Sequence, residues 1–369
     1  MTDDQYKGTF LVGGAVRDEL LNLTVTEHDW VVVGSSIAEM EAVGFRQVGK
    51  DFPVFLHPDT NEEYALARTE RKIEPGHTGF STDASSEVTL EEDLGRRDLT
   101  INAIARDGEG NLIDPYHGCK DIETRTIRHV SDAFEEDPLR VLRVARFAAK
   151  FSSLGFEVAN ETKNLCAAMV KRGDLSQLPS ERIFQETDKS LALDNPETFF
   201  RFLADISAGV QLWPELDKVA IDLLARTTGG TSRLQRFAIL FSQSTTDKIK
   251  SRCEHLKTPR RYEALAVNCC RHLSTWEDVS GLDAEQIVAF LYDLDAIRKP
   301  KQFGQFSDTC EHLARARSSD RDQGTIWANY HGIISDITST SVDDSLRGPA
   351  VGQAIRKLQI GAIESHHEN

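Results

Sequence analysis

The sequence of 369 residues lacks the cysteine and targeting patterns that indicate an extracellular or metal-bound protein. Its six cysteines form no CxxC pair and no spaced metal-binding set, so they indicate ordinary thiols in a reducing compartment. The N-terminal residues MTDDQYKG are acidic and carry no basic-then-apolar secretion signal. No apolar run approaches the roughly 20 residues needed to span a bilayer. We therefore expect a soluble, cytoplasmic protein without a membrane partner.

Basic residues are also in the minority, because 43 Lys and Arg stand against 59 Asp and Glu, a formal net charge of −16. This balance excludes a uniformly basic nucleic-acid coat, but it leaves room for a local positive surface. The densest basic segment, KIKSRCEHLKTPRR at 248–261, has six Lys or Arg against one Glu. RKPK at 298–301 and the stretch from Arg140 to Lys150 add further cations. These segments can contact RNA phosphates, although a solvated helix surface explains 248–261 equally well.

The pattern of apolar residues changes along the chain. TFLVGG and DWVVVG are β-branched runs closed by glycine, which predict buried strands, and FPVFLH and EYALAR predict two more strands around the turn PDTNE. AVRDELLNL and SIAEMEAVG predict helices, the second beginning at Ser35 or Ser36 and ending at Gly44. From about Asp137 onward the strand patterns stop and amphipathic helical segments follow. We therefore predict an α+β protein, with a mixed α/β head followed by an all-α neck, body and tail.

Two acids stand where the second predicted strand begins. Glu27 and Asp29 are separated by one residue, so on a strand their carboxylates share a face with Cα atoms roughly 6.6 Å apart. Paired hard oxygen ligands suit Mg²⁺, and such ions can support phosphoryl displacement. Glu62 or Glu63, at the start of another strand, could complete a cluster of three carboxylates, and we choose Glu63. For an isolated E-x-D pattern, two solvated acids would be the better interpretation.

The segment GGAVRD supplies a second feature, because it joins a strand end to a helix start. Gly14 lets phosphate oxygens approach free backbone N–H groups, and Arg17 adds a cationic donor. Alone, the segment also fits a tight turn with a surface arginine. Together with the acids 13–15 residues later, it predicts a triphosphate lying between Gly14 and the metal site.

LGRRDLTINAIA and EEDPLRVLRVARFAAKF offer further polar candidates. In the first, Arg97 with Arg96 could bind phosphate, Asp98 could accept a hydrogen bond from a ribose hydroxyl, and Asn102 lies beside them. In the second, charged residues step by three, so on a helix each lies about 60° around from the last. An acid and an arginine one turn apart could read the edge of a nucleobase, or form a plain surface salt bridge. This stepped set is Asp137, Arg140, Arg143 and Arg146.

These motifs, which extend over nearly all of residues 9–151, resemble the bacterial class II CCA-adding enzymes, tRNA nucleotidyltransferases related to bacterial poly(A) polymerases. PSERIFQET and DLDAIRKPKQF continue the resemblance more thinly. The resemblance implies that Gly14 and Arg17 bind the incoming nucleotide and that metal binds at positions 27 and 29. It also implies Glu63 as an auxiliary carboxylate and Arg97, Arg143 and Arg146 on nucleotide phosphates. Asp137 and Arg140 would select CTP or ATP by the base edge.

The chain departs from the family pattern at two places. The family has D-x-D where this chain has Glu27, and the extra methylene displaces the carboxylate by roughly 1.5 Å. Misplacement of about 1 Å can cost on the order of 10²-fold in rate, but a flexible glutamate can retract and still bind Mg²⁺. Longer relatives carry an HD phosphohydrolase domain, and RFAILFSQ leaves Ser242 and Gln243 where its His-Asp pair is expected. We therefore expect activity at the head and none of the HD type.

The resemblance implies template-independent addition of C, C and A to the 3′ end of tRNA from CTP and ATP, with pyrophosphate leaving. We expect residues 1–136 to form the catalytic head, 137–205 the helical neck, and 206–369 a body and tail that bind tRNA. A poly(A) polymerase and an inactive tRNA-binding paralogue are the alternatives. CC-only or A-only addition stays open, and the sequence indicates no protein partner.

Overall fold

The structure, a computed structural model, describes residues 8–48, 54–72, 80–227, 229–317 and 322–368. The chain divides into two units, Met1–Leu212 and Trp213–Asn369. The first unit contains a mixed sheet with helices, and the described part of the second is helical. Among the described residues, no helix has both the length and the apolar character required to cross a membrane.

The main sheet of the first unit has the strand order β3-β4-β5-β2-β1-β8-β9, and β2 and β5 are its parallel neighbours. The strands are β1 Thr9–Val12, β2 Asp29–Val32, β3 Arg46–Gln47, β4 Val54–Leu56, β5 Glu63–Leu66, β6 Thr69–Lys72, β7 Phe80–Asp83, β8 Ala105–Arg106, β9 Leu112–Ile113, β10 Thr126–Ile127 and β11 Glu157–Val158. The four predicted strands and the hairpin at PDTNE are confirmed, since β4 and β5 pair antiparallel across that turn. The first residues of FPVFLH lie outside the described residues.

Apolar side chains cover the sheet on both faces. Val31 belongs to one buried cluster and Val32 to another, because successive strand residues point to opposite faces. A strand buried on both faces reads as a continuous apolar run, which explains the three successive valines of DWVVVG.

Helices connect the strands and continue after them. The first unit contains α1 Gly14–Leu20, α2 Ile37–Ala42, α3 Leu90–Gly95, α4 Gly118–Glu123, α5 Leu139–Phe151, α6 Asn160–Arg172, α7 Ser180–Leu191, α8 Glu197–Asp205 and α9 Ala208–Leu212. The second contains α10 Lys218–Arg226, α11 Arg233–Phe241, α12 Thr246–His255, α13 Arg260–Glu277, α14 Ala284–Asp293, α15 Pro300–Ala316, α16 Gln323–Ser335 and α17 Pro349–His367. Ser36 is the N-cap of α2 and forms a capping box with Glu39.

The expectation that strands end before Asp137 is wrong in one place. Strand β11 lies after α5 and pairs in parallel with β10. Its two residues are too few to produce a period-2 pattern, so this strand could not be predicted from the sequence.

Gly118 is predicted to be indispensable to the packing of the first unit. A Cβ atom there would lie 2.8 Å from Cγ1 of Ile104 and 2.9 Å from the carbonyl carbon of Thr100, where the short 3₁₀ helix Thr100–Asn102 begins. Overpacking of this kind costs about 1–3 kcal/mol. Gly118→Ala should therefore lower the midpoint of thermal unfolding by several degrees.

Gly108→Ala is the matched control, because a Cβ at Gly108 would meet nothing within 4 Å. Equal unfolding midpoints for the two variants would contradict the packing argument.

Candidate active site

A cleft of about 590 Å³ in the first unit brings together the residues that the sequence singled out. It lies between the starts of β2 and β5, the turn from β1 to α1, the segment after α3, and helix α5. The predicted residues that line it are Gly14, Arg17, Glu27, Asp29, Glu63, Arg97, Asp98, Asn102, Asp137, Arg140, Arg143 and Arg146. Long-range folding therefore brings the acids and arginines of distant motifs to one surface.

The acidic end of the cleft is formed by two neighbouring strands. Asp29 and Glu63 are register partners at the first positions of parallel strands β2 and β5, and Glu27 lies two residues before Asp29. Burial raises the pKa of Asp29, Arg97 opposes this, and Glu27 raises the pKa further. Glu62 instead forms an ion pair with His28 at 3.1 Å. Glu62 and Glu63 were the two candidates for a third carboxylate beside Glu27 and Asp29, and Glu63 is the one that lines the cleft.

The carboxylates at this end of the cleft are candidate metal ligands. Within the described residues, no three His, Cys, Asp or Glu side chains converge closely enough to hold a metal ion. Glu27 and Asp29 both line the cleft, and the Glu27 carboxylate adds to burial in raising the pKa of Asp29. Two interacting carboxylates in a cleft are the hard oxygen donors that suit Mg²⁺.

The turn from β1 to α1 requires glycine at a position that the sequence prediction did not choose. Gly13 has φ +71°, and a Cβ there would lie 2.9 Å from Nη1 of Arg97. Gly14 begins α1 without a positive φ. Gly13 thus provides the left-handed conformation and the close approach, and the doubled glycine in GGAVRD was the available signal.

A buried acid holds the two adjacent arginines. Asp93 is fully buried and accepts hydrogen bonds from Arg96 at 2.7 Å and from Arg97 at 3.0 Å. Burial alone would raise the pKa of Asp93, but the two guanidinium groups outweigh it and lower the pKa. The two arginines are therefore held in place by a buried carboxylate. Sequence reasoning missed Asp93, although it lies one helical turn before both arginines.

A polar network links α5 to the sheet side of the cleft. Asp98, 6% exposed, accepts hydrogen bonds from Arg143 Nε at 2.6 Å and from Asn102 Nδ2 at 2.9 Å. Asn102 in turn accepts a hydrogen bond from Arg17, whose own Nε donates to Asp18 at 2.7 Å. Burial works against ionisation of Asp98, yet Arg143 and Asn102 hold its pKa well below the ordinary value.

At the cationic end of the cleft, arginine and lysine side chains pack against aromatic rings. Phe147 and Phe151 of α5 are stacked, with centroids 5.9 Å apart. Arg146 lies 4.5 Å and Arg17 lies 5.3 Å from the Phe147 centroid, and Lys150 lies 5.1 Å from that of Phe151. Burial lowers the pKa of Lys150, and the neighbouring Arg17 lowers it further. Crowded cations over an apolar floor favour an anionic ligand.

The prediction that the four stepped residues lie on one helix is confirmed for Arg140, Arg143 and Arg146, which belong to α5. It is wrong for Asp137. Asp137 precedes α5 with extended backbone, because the residue before a proline is disfavoured in the α region and Pro138 follows it. Its carboxylate accepts a hydrogen bond from Arg182 of α7 at 2.9 Å. Arg140 is 7% exposed and donates to the backbone oxygens of Ala133 at 2.6 Å and Arg96 at 2.5 Å.

Sequence reasoning assigned no role to Arg182 and counted Lys150 only among the cations that can contact RNA, yet both side chains line the cleft. Arg182 contacts Asp137 across 45 positions of sequence, and Lys150 contacts Asp18 across 132 at 3.1 Å. No local pattern records separations of this size. Arg182 does lie inside PSERIFQET, where the family resemblance was the only available signal.

Family comparisons first define the class of protein. Residues 9–128 match the family model described as "Poly A polymerase head domain". Residues 155–219 match the model described as "Probable RNA and SrmB- binding site of polymerase A". The first unit is therefore built on a nucleotidyltransferase head.

Full-length relatives narrow the class. The CCA-adding enzyme of Pseudomonas putida (strain W619) is 44% identical over 364 residues, which cover 98% of each chain. The multifunctional CCA protein of Thioalkalivibrio sulfidiphilus (strain HL-EbGR7) is 42% identical over 399 residues, covering 96% of this chain and 98% of that protein. The Thermotoga maritima CCA-adding enzyme, solved in a complex with tRNA-CCA, shares the fold with a TM-score of 0.67 at 19% identity, over 95% of this chain and 86% of that one. The chain belongs to the family of bacterial CCA-adding enzymes, as its motifs predicted.

The buried Asp98 should make the stability of the protein depend on pH. A carboxyl whose pKa is lowered in the folded state stabilises the fold above its unfolded pKa of about 3.9, and this contribution is lost as the pH falls through the folded value. Asp98→Asn should lower the free energy of unfolding by about 3 kcal/mol at pH 7. Denaturant titration at pH 7 and pH 3 should show the gap to wild type narrowing at pH 3.

Glu41→Gln, at an exposed position of α2, serves as the control and should leave a small gap at both pH values. A gap for Asp98→Asn that stays constant between pH 7 and pH 3 would contradict the assigned origin of its stabilisation.

Proposed function

We propose that this chain adds C, C and A to the 3′ end of tRNA, using CTP and ATP and releasing pyrophosphate. One observation carries the proposal: a single cleft joins an acidic end, at Asp29 and Glu63, to a cationic end, at Arg17 and Arg146. Such a cleft suits a nucleoside triphosphate, whose phosphates need cations and whose α-phosphate needs a hard-oxygen metal site. Family membership and the names of the relatives support this reaction.

In this proposal Glu27 and Asp29 hold Mg²⁺, with Glu63 beside them. When bound, the ion would neutralise developing charge at the α-phosphate and lower the pKa of the attacking 3′-hydroxyl. The chemistry of the donors supports this assignment, because all three are carboxylates that line one end of the same cleft. No separate general base is needed.

The remaining residues bind and orient the nucleotide. Gly14 and Arg17, with Arg97, Arg143 and Arg146, contact the phosphates. Asp98 and Asn102 approach the ribose, and their mutual hydrogen bond at 2.9 Å fixes their orientation. Asp137 and Arg140 read the base. Arg140 donates to the backbone oxygens of Ala133 and Arg96, and these contacts hold its guanidinium group at the cleft wall.

We assign residues 1–136 to the catalytic head, 137–205 to the neck and 206–369 to a body and tail that hold tRNA. On the proposed tRNA surface, Lys248 and Lys250 of α12 are exposed, whereas Arg252 is engaged with Glu215 at 2.9 Å. Binding through phosphates in this way needs no base contacts. Since tRNA is the proposed substrate, the cytoplasm remains the expected compartment.

The head-domain match also favours a second candidate, a poly(A) polymerase. Both reactions transfer a nucleotide to an RNA 3′ end, so the cleft residues would serve either one. The products differ, because CCA addition stops after three nucleotides on tRNA whereas polyadenylation continues with A.

The decisive experiment measures incorporation of labelled CTP and ATP into a tRNA lacking its 3′ end, with Mg²⁺ present. Wild type should add C, C and A in order and then stop. Glu27→Asp should be at least as active, because it restores the shorter ligand of the family pattern. Asp29→Asn should lose about 100-fold or more in rate, since it removes the metal ligand at the strand start.

Each contrary result has a definite meaning. An open-ended A tail on wild type would establish the poly(A) polymerase alternative. Activity in Glu27→Asp but none in wild type would mean that one methylene has inactivated the site. Full activity in Asp29→Asn would refute the proposed metal site.

If the exposed lysines of α12 bind tRNA phosphates, their removal should weaken tRNA binding. Lys248→Ala with Lys250→Ala should raise KM for tRNA several-fold, leave KM for CTP unchanged, and reduce the slope of log affinity against log salt by about 1 to 2. Arg298→Ala with Lys299→Ala is the matched pair and should do less, because both cations already contact Asp295, at 2.5 and 3.0 Å. Equal effects of the two pairs would contradict the assignment.

A further inference from the structure

Two side chains of helix α7 contact residues that line the cleft. Arg182 and Glu186 lie one turn apart, so they share a face of the helix. Arg182 donates to Asp137, just before α5, and Glu186 accepts from Arg146, within α5. One helix therefore holds two cleft residues for which the proposed function gives different roles.

Asp137 is fixed by few contacts. The backbone N–H of Leu139 donates to Oδ1 at 3.0 Å, while Arg182 donates to Oδ2 at 2.9 Å and to Oδ1 at 3.4 Å. A carboxylate offers about four acceptor positions, so about one remains for a ligand. Within α5 the backbone N–H of Leu139 restrains only Oδ1, whereas Arg182 of α7 reaches both carboxylate oxygens. The direction of the carboxylate therefore depends on Arg182.

That direction matters for base selection. Cytosine and adenine carry an exocyclic amino group, whereas uracil and guanine carry a carbonyl oxygen at the corresponding position. A carboxylate held toward this edge accepts a hydrogen bond from the amino group and repels the carbonyl oxygen. Resting on the proposed function, we propose that Arg182 is a positioning residue that orients Asp137, so that CTP and ATP are accepted and UTP and GTP are rejected.

Glu186 provides a comparison within the same helix. It is 3% exposed and accepts a hydrogen bond from Arg146 Nε at 2.5 Å. Arg146 is assigned to phosphates, which all four nucleotides share. Loss of Glu186 should therefore weaken all four to a similar extent, and only loss of Arg182 should change their order.

The test measures equilibrium binding of CTP, ATP, UTP and GTP, together with incorporation of each into a tRNA lacking its 3′ end. In Arg182→Ala the preference for CTP over UTP should fall roughly tenfold, the scale of one hydrogen-bonded base contact. Arg182→Lys should lose less, because it keeps the charge without the planar fork. Glu186→Gln should keep the preference while weakening every nucleotide.

Two controls separate positioning from a general structural role. Arg201→Ala removes an exposed arginine of α8 that pairs with Glu197 at 3.9 Å, and it should change neither binding nor preference. In an Asp137→Asn background, adding Arg182→Ala should change the preference by less than about twofold, because the arginine acts through the missing carboxylate.

Equal weakening of all four nucleotides by Arg182→Ala would overturn the inference. So would the same loss of preference in the presence and absence of the Asp137 carboxylate. If wild type prefers CTP and ATP in binding but does not extend tRNA, the proposed function fails, while the binding data still decide the role of Arg182. A wild type that binds all four nucleotides equally would overturn the inference directly.

Discussion

The ion pair between Asp98 and Arg143 is the interaction on which the cleft depends. A carboxylate that is 6% exposed is costly unless it is paired and hydrogen-bonded, and its charged partner comes from α5. The helix cannot move away from the sheet side without removing the guanidinium group that balances this buried charge. The contact of Lys150 with Asp18 fastens the same helix two turns further on. The arginines of α5 are thereby fixed, and a chain of strongly negative net charge presents a local cationic wall.

The features of the fold that could be predicted from the sequence are those that depend on short-range patterns. The strands at TFLV and DWVV, the capping box at Ser36 and the long amphipathic helices are local features, and each follows from a pattern a few residues long. The acids and arginines were identified one motif at a time, from the chemistry that their spacing permits. Their assembly in one cleft rested on the family resemblance, because the sequence alone does not state that β2 and β5 are neighbours.

The parts that could not be predicted are contacts between distant residues and departures from regular geometry. Asp137 was placed on a helix by its spacing from Arg140, whereas Pro138 keeps it outside and Arg182 holds it from another helix. Asp93 gave no signal because a buried acid beneath two arginines looks like one more charge in an acidic helix turn. For Asp137, a contact across 45 positions of sequence decides the direction of the side chain, and no periodicity encodes it.

The two valines of β2, Val31 and Val32, have a consequence for the acids of the cleft. Because both faces of the strand are covered by apolar side chains, the valines would fit equally well if β2 slid by one residue against β5. Trp30 and Tyr64, the register partners immediately after Asp29 and Glu63, are stacked with centroids 5.6 Å apart and planes at 13°. This contact between the two rings favours the observed register of β2 and β5. Rings on the face opposite the acids thus help to hold Asp29 beside Glu63.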